Sequence, residues 1–112
     1  MKRIEAIIRP SKLEYIKEAL KNKNINGITI NQVMGCGNQL GWSEFYRGNE
    51  VIVNILPKIE IKIVVEDDKV EEIISLITDI TRTGEVGDGK IFVINIEDCI
   101  RIRTGERGNS AI

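Results

Sequence analysis

The chain has 112 residues, enough for one domain with a single core. Sixteen Lys and Arg against seventeen Asp and Glu leave a net charge of −1, and only five residues are aromatic (two Phe, two Tyr, one Trp). That balance argues against a general nucleic-acid binder or a base-stacking platform, and the absence of histidine removes phosphohistidine chemistry, His-based triads and the usual zinc sites.

In chain order, Arg3 to Arg9 alternates with Ile4, Ala6 and Ile8 on one face, which predicts a half-buried strand ended by Pro10. Ser11 then reads as a helix N-cap, with Glu14 completing a capping box. Leu13, Ile16 and Leu20 recur at helical spacing, and the Lys-rich stretch from Lys21 to Asn24 suits a helix C-terminus. Gly27 opens a second strand through Ile28, Ile30 and Val33. Lys58 to Val65 alternates strictly, with Ile59, Ile61, Ile63 and Val65 inward. Asp67 and Asp68 start a second helix, whose apolar stripe is Val70, Ile73, Ile74, Ile77 and Ile80. A last strand covers Ile91 to Ile96. The order β-α-β, β-α-β predicts an α+β, ferredoxin-like βαββαβ sandwich over a single domain, 1–112. The second face of its sheet mixes Lys58, Glu60 and Lys62 with Ile7 and Val64, which suggests an oligomer with sheets facing one another.

Between Gly35 and Leu56 lies a long insertion punctuated by glycines and carrying Trp42, Phe45, Tyr46 and Arg47. Loops of this length are usually functional, and an exposed Trp, aromatic and Arg cluster is hot-spot chemistry for a protein partner. A β-hairpin arm packed on its own protein is the competing reading. Cys36 and Cys99 sit far apart without a C-x-x-C pattern and read as two free thiols. No signal peptide or membrane-spanning run is seen, so a cytoplasmic protein is expected.

The stretch 82–90 is the densest in chemistry. Arg82-Thr-Gly-Glu-Val-Gly-Asp-Gly-Lys90 combines glycines with flanking cations, a composition that cradles phosphate oxygens. Gly84, Gly89 and Lys90 fit the G-x-x-x-x-G-K spacing, but Ile91 stands where a metal-reaching hydroxyl is needed. The context, helix before and strand after, is also the reverse of a P-loop. What remains is a phosphate-binding loop or an ordinary glycine-rich turn. In the tail at 100–108, Arg101 and Arg103 would point to one side if extended, as a phosphate or carboxylate clamp or as a solvated basic tail.

On these residues the whole chain resembles the PII nitrogen-regulatory signal-transduction family. The resemblance rests on Lys2 to Pro10, Leu56-Pro57-Lys58, Arg82-Thr83-Gly84 with Gly87 to Phe92, and Ile100 to Gly105. It implies a homotrimer of ferredoxin-like subunits with sheets facing inward. ATP or ADP would bind in the clefts between neighbours. Gly87, Asp88, Gly89 and Lys90 would meet the phosphates from one subunit, and Arg101 and Arg103 from the next. Gly35 and Gly37 would approach the ribose and adenine, with Ile7 and Val64 lining that pocket. Gln39 would ligate Mg²⁺ beside ATP and 2-oxoglutarate, and Lys58, with Gly87, would hold a 2-oxoglutarate carboxylate. The segment at about 37–54 would be the family's long flexible T-loop. Through Trp42, Phe45, Tyr46 and Arg47 it would dock onto an ammonium channel or another nitrogen-metabolism protein, with no nucleic acid and no membrane contact except through a channel.

Departures from the family pattern accompany the resemblance. Val51 replaces the uridylylated tyrosine, which implies control by ligands alone. Lys62 stands where an acid is usual and Glu60 where a lysine is common, a charge swap on one sheet face. Asn38 and Glu85 replace frequent cations. A phosphoryl-transfer enzyme on the same fold would need a nucleophilic histidine, which the chain lacks. A trimeric docking scaffold and an adenylate-only sensor acting on glutamine synthetase or nitrogenase are the remaining alternatives.

Overall fold

The computed structural model describes residues 1–36, 42–46, 48–53 and 55–112, giving the backbone alone for 42–46 and 49–53. Strand β1 is Lys2–Ile8, helix α1 Leu13–Asn22, β2 Ile28–Cys36, β3 Trp42–Tyr46, β4 Asn49–Val53, β5 Ile55–Val65, α2 Val70–Thr81 and β6 Lys90–Asn95. The main sheet is antiparallel in the order β2-β5-β1-β6, and β3 with β4 forms a separate two-stranded hairpin. This is the α+β ferredoxin-like plan expected from the element order, with the hairpin inserted between β2 and β5.

The alternation of β1 and β5 does what the pattern requires. Ile4, Ala6 and Ile8 pair across with Ile63, Ile61 and Ile59 and are buried on one sheet face. Ile16 and Leu20 of α1 and Val70, Ile73 and Ile77 of α2 close the core from above. The other sheet face carries Arg3, Glu5 and Ile7 on β1, Glu60, Lys62 and Val64 on β5, and Phe92 on β6.

One local expectation changes. Ser11 does not cap a helix. It lies inside a single 3-10 turn, Pro10–Lys12, that leads into α1, and no side chain caps either start. Proline at the first helical position presets φ and has no N–H to satisfy, so the turn begins one residue before the serine. At its other end α1 stops through Asn24, in the left-handed region at φ 62°, and Ile25 N–H donates to Leu20 O at 2.9 Å. No helix among the described residues is long and apolar enough to cross a membrane.

Candidate functional site

The glycine-rich segment joins α2 to β6, helix first and strand second, as the order of patterns indicated. Its shape is dictated by close approach to β1. Gly89 has φ +102°, and a Cβ there would lie 1.7 Å from the Ile7 carbonyl oxygen, so only glycine lets the loop reach the sheet at this point. Asp88 holds the turn from within. Its carboxylate accepts the backbone N–H groups of Thr83 and Gly84 at 2.9 Å each, the Thr83 hydroxyl and the Arg9 guanidinium. The Thr83 and Arg9 donors hold the Asp88 carboxyl far below the usual carboxylate range. What Asp88 can offer an anion is therefore its backbone amide, because its charge is spent inside the loop.

Two cations sit under the same turn. Arg9 spans it, with Nη2 donating to Val86 O at 3.0 Å and Nη1 to Asp88. Lys58, 8% exposed, donates from Nζ to Gly87 O at 3.0 Å. Burial first, and then the neighbouring Arg9 charge, push the Lys58 ammonium below its ordinary pKa, while Asp88 acts the other way. A desolvated cation in that position gains most from an incoming carboxylate or phosphate. The missing side chain of Gly87 keeps the approach open: a Cβ there would stand 3.0 Å from Arg9 Nη2 and 3.6 Å from Lys58 Nζ. Gly35, whose absent Cβ would be 3.1 Å from Lys58 Cγ, leaves room for the lysine stem. Arg82 and Lys90 border a hollow of about 350 Å³ between this loop and α2.

The structure thus brings together Ile7, Gly35, Lys58, Gly87, Asp88, Gly89 and Lys90. Val64 is elsewhere. It lies six positions beyond Lys58 on β5, roughly 20 Å away at about 3.3 Å per residue, and opens onto a groove of about 740 Å³ shared with Arg3, Thr29, Lys62, Ala111 and Ile112. The Arg tail belongs to that end, since Arg101 Nη2 donates to Ile112 O at 3.3 Å. Nor is the tail extended. Gly105 N–H donates to Arg101 O at 2.7 Å and closes a turn over 102–104, so the same-side projection expected of an extended Arg101 and Arg103 does not apply. Arg101 pairs with Glu106 at 3.1 Å, and Arg103 is exposed.

Gly37, Gln39 and Arg47 lie outside the described residues, as do the side chains of Trp42, Phe45, Tyr46 and Val51. Among the described residues no group of three or more His, Cys, Asp or Glu could hold a metal ion. Cys36 is exposed and Cys99 half-buried, and neither forms a disulfide. Sequence reasoning missed Arg9, Thr83 and Glu106. No local sequence pattern pointed to Arg9; the β1–β6 register ends at Ile7 opposite Lys90 and leaves Arg9 to overhang the glycine loop.

Fold and site together define a small ferredoxin-like protein in which a glycine loop meets the sheet end over two cations, Arg9 and Lys58. The family model described as "Nitrogen regulatory protein P-II" matches residues 1–106. Proteins named "Nitrogen regulatory protein P-II" from Bradyrhizobium diazoefficiens, Rhodospirillum rubrum and Azospirillum brasilense are 55%, 54% and 52% identical to it, each over all of both chains. The chain belongs to the P-II family of nitrogen regulatory proteins, which are regulatory signalling proteins.

Proposed function

We propose that this protein is a non-enzymatic, cytoplasmic sensor of nitrogen and energy state that works as a homotrimer with its sheets facing inward. It binds ATP or ADP in the clefts between subunits and takes 2-oxoglutarate when Mg-ATP is present. The observation that carries the reading is the division of the site in one chain. The loop of Gly87, Gly89 and Lys90 with Lys58 stands at one end of the sheet, and Val64 with the Arg101 turn stands at the other. A second copy that sets its Val64 end against the first copy's Lys58 end assembles a cleft with a phosphate loop, an arginine turn and an apolar wall. Exposed apolar residues support such packing: Phe92 on the outer sheet face, and Ile102, which is 99% exposed at the tip of the arginine turn.

Within that cleft the Lys58 ammonium pairs with one 2-oxoglutarate carboxylate, and Gln39 supplies an oxygen to Mg²⁺ carried by the triphosphate. The hairpin formed by β3 and β4, with Trp42, Phe45, Tyr46 and Arg47, docks onto a target, an ammonium channel being the foremost candidate. With Val51 at the modification position, control is by ligands and not by uridylylation. Titration calorimetry of the nucleotide-free protein tests the reading. The expected result is 2-oxoglutarate binding only with Mg-ATP present. ATP or ADP binding without any 2-oxoglutarate response would make it an adenylate-only sensor, and binding of neither would leave a docking scaffold.

A further inference from the structure

We infer that Asn26 and Gly27 form a self-modifying pair, at which the Asn26 amide is lost spontaneously and replaced by a carboxylate. Asparagine is one of the heat-labile side chains, and its lability depends on whether the next backbone nitrogen can reach it. Here the pair lies between the end of α1 and the start of β2, outside helix and strand, and both residues are exposed. Gly27 has no Cβ to shield its nitrogen, and a Cβ built there would meet nothing within 4 Å. Among the described residues no backbone carbonyl takes up the Gly27 N–H. Neighbouring asparagines are held. Asn24 precedes a branched residue, Ile25, whose N–H donates to Leu20 O at 2.9 Å. Asn31 sits within β2 and donates its amide to Glu60 at 3.3 Å.

The reaction needs only water. The Gly27 nitrogen gives up its proton and bonds to Asn26 Cγ; the Cγ–Nδ2 bond breaks and the amide nitrogen leaves as ammonia. Water then opens the cyclic imide at either carbonyl. Cleavage of the new N–Cγ bond gives aspartate and restores the main chain. Cleavage of the original peptide bond gives isoaspartate, with the main chain rerouted through Cγ. Either product adds a negative charge to a chain whose net charge is −1. Asn26 lines both the groove of about 740 Å³ shared with Val64 and a second groove of about 720 Å³ between α1 and β2, so the new carboxylate borders both. Isoaspartate also lengthens the main chain by one carbon just before Ile28, where β2 begins to pair with β5 at Ile63. The chain thus matures without an enzyme into a more acidic form, marked at the place where the two grooves meet.

The test incubates the intact protein at mildly alkaline pH and follows it by ion-exchange chromatography. Peptide mass spectrometry places the change, an isoaspartate-specific methyltransferase reports the rerouted product, and Asn26→Asp marks where the aspartate product elutes. Wild type is expected to split into the original and a more acidic, methyl-accepting species, with conversion at Asn26 and none at Asn24 or Asn31. Gly27→Ala should lose the conversion, because its methyl group covers the nitrogen. Gly27 does not have a positive φ and has room for a Cβ, so this variant folds, as a thermal melt checks. Equal conversion of Asn24 and Asn26, or conversion undiminished in Gly27→Ala, overturns the site. So does an Asn26 that stays intact in the native protein while the urea-unfolded chain converts, since the fold would then be holding the pair apart.

Discussion

Replacing Gly89 by alanine tests whether the glycine loop is shaped by contact with β1. At φ +102° the new Cβ would lie 1.7 Å from Ile7 O and 2.9 Å from Ile7 C, both backbone atoms that no rotamer change can move. Holding a non-glycine residue in so sparsely populated a region costs roughly 1–3 kcal/mol. The strands must also part by about 1.5 Å before an ordinary C···O contact of about 3.3 Å is restored. That separation falls beside the Ile7 and Lys90 pair, the last of the β1–β6 ladder, and forfeits about 1 kcal/mol of hydrogen bonding. Together the expected loss is about 2–4 kcal/mol, a large share of a stability of about 5–15 kcal/mol. For a domain of this length it corresponds to a fall in thermal midpoint of about 8–17 °C. Gly105→Ala is the matched control, because its φ is +74° but nothing lies within 4 Å of a Cβ, leaving only a backbone cost of roughly 1–2 kcal/mol. Calorimetric melts of both variants at one protein concentration decide the matter. Midpoints that agree within about 3 °C would refute the contact argument.

Asp88→Asn should destabilise the protein at neutral pH. Because the folded-state pKa of Asp88 is depressed, the wild-type advantage is full above the ordinary value of 3.8 and is lost as pH falls below it; urea titrations giving one constant difference at pH 7 and pH 3 would contradict this. Lys58→Met should abolish measurable 2-oxoglutarate binding and retain Mg-ATP binding, as read by titration calorimetry, and parallel loss of both ligands would count against a dedicated carboxylate site. Ile61→Ala, at a fully buried position in the central strand, should cost about 2–5 kcal/mol in urea unfolding, and a loss under about 1 kcal/mol would dissociate that position from the core.

What was legible in the sequence followed periodicity. The alternation of Ile59, Ile61, Ile63 and Val65 and the stripe of Val70, Ile73 and Ile77 give the sheet face and the helix face directly, because burial on one side imposes the spacing. What was not legible depended on competition between neighbours or on distance along the chain. Ser11 has the composition of a cap, but Pro10 starts the turn first. Arg101 and Arg103 look extended by alternation, yet Gly105 closes the chain back on Arg101. Arg9 and Asp88 meet across most of the sequence, and no local pattern announces such a pair. The division of the site between two ends of the sheet likewise came from strand register.

Strand β5 runs unbroken from Ile55 to Val65, with Lys58 near one end and Val64 near the other. In the proposed ring of three, each copy of this strand is a member of two neighbouring clefts. A ligand drawn in at Lys58 pulls on a rod whose far end walls the next cleft, so the three sites cannot fill independently. Successive binding steps on one ring should show unequal affinities, and a partly filled ring is then a signalling state distinct from an empty or a full one.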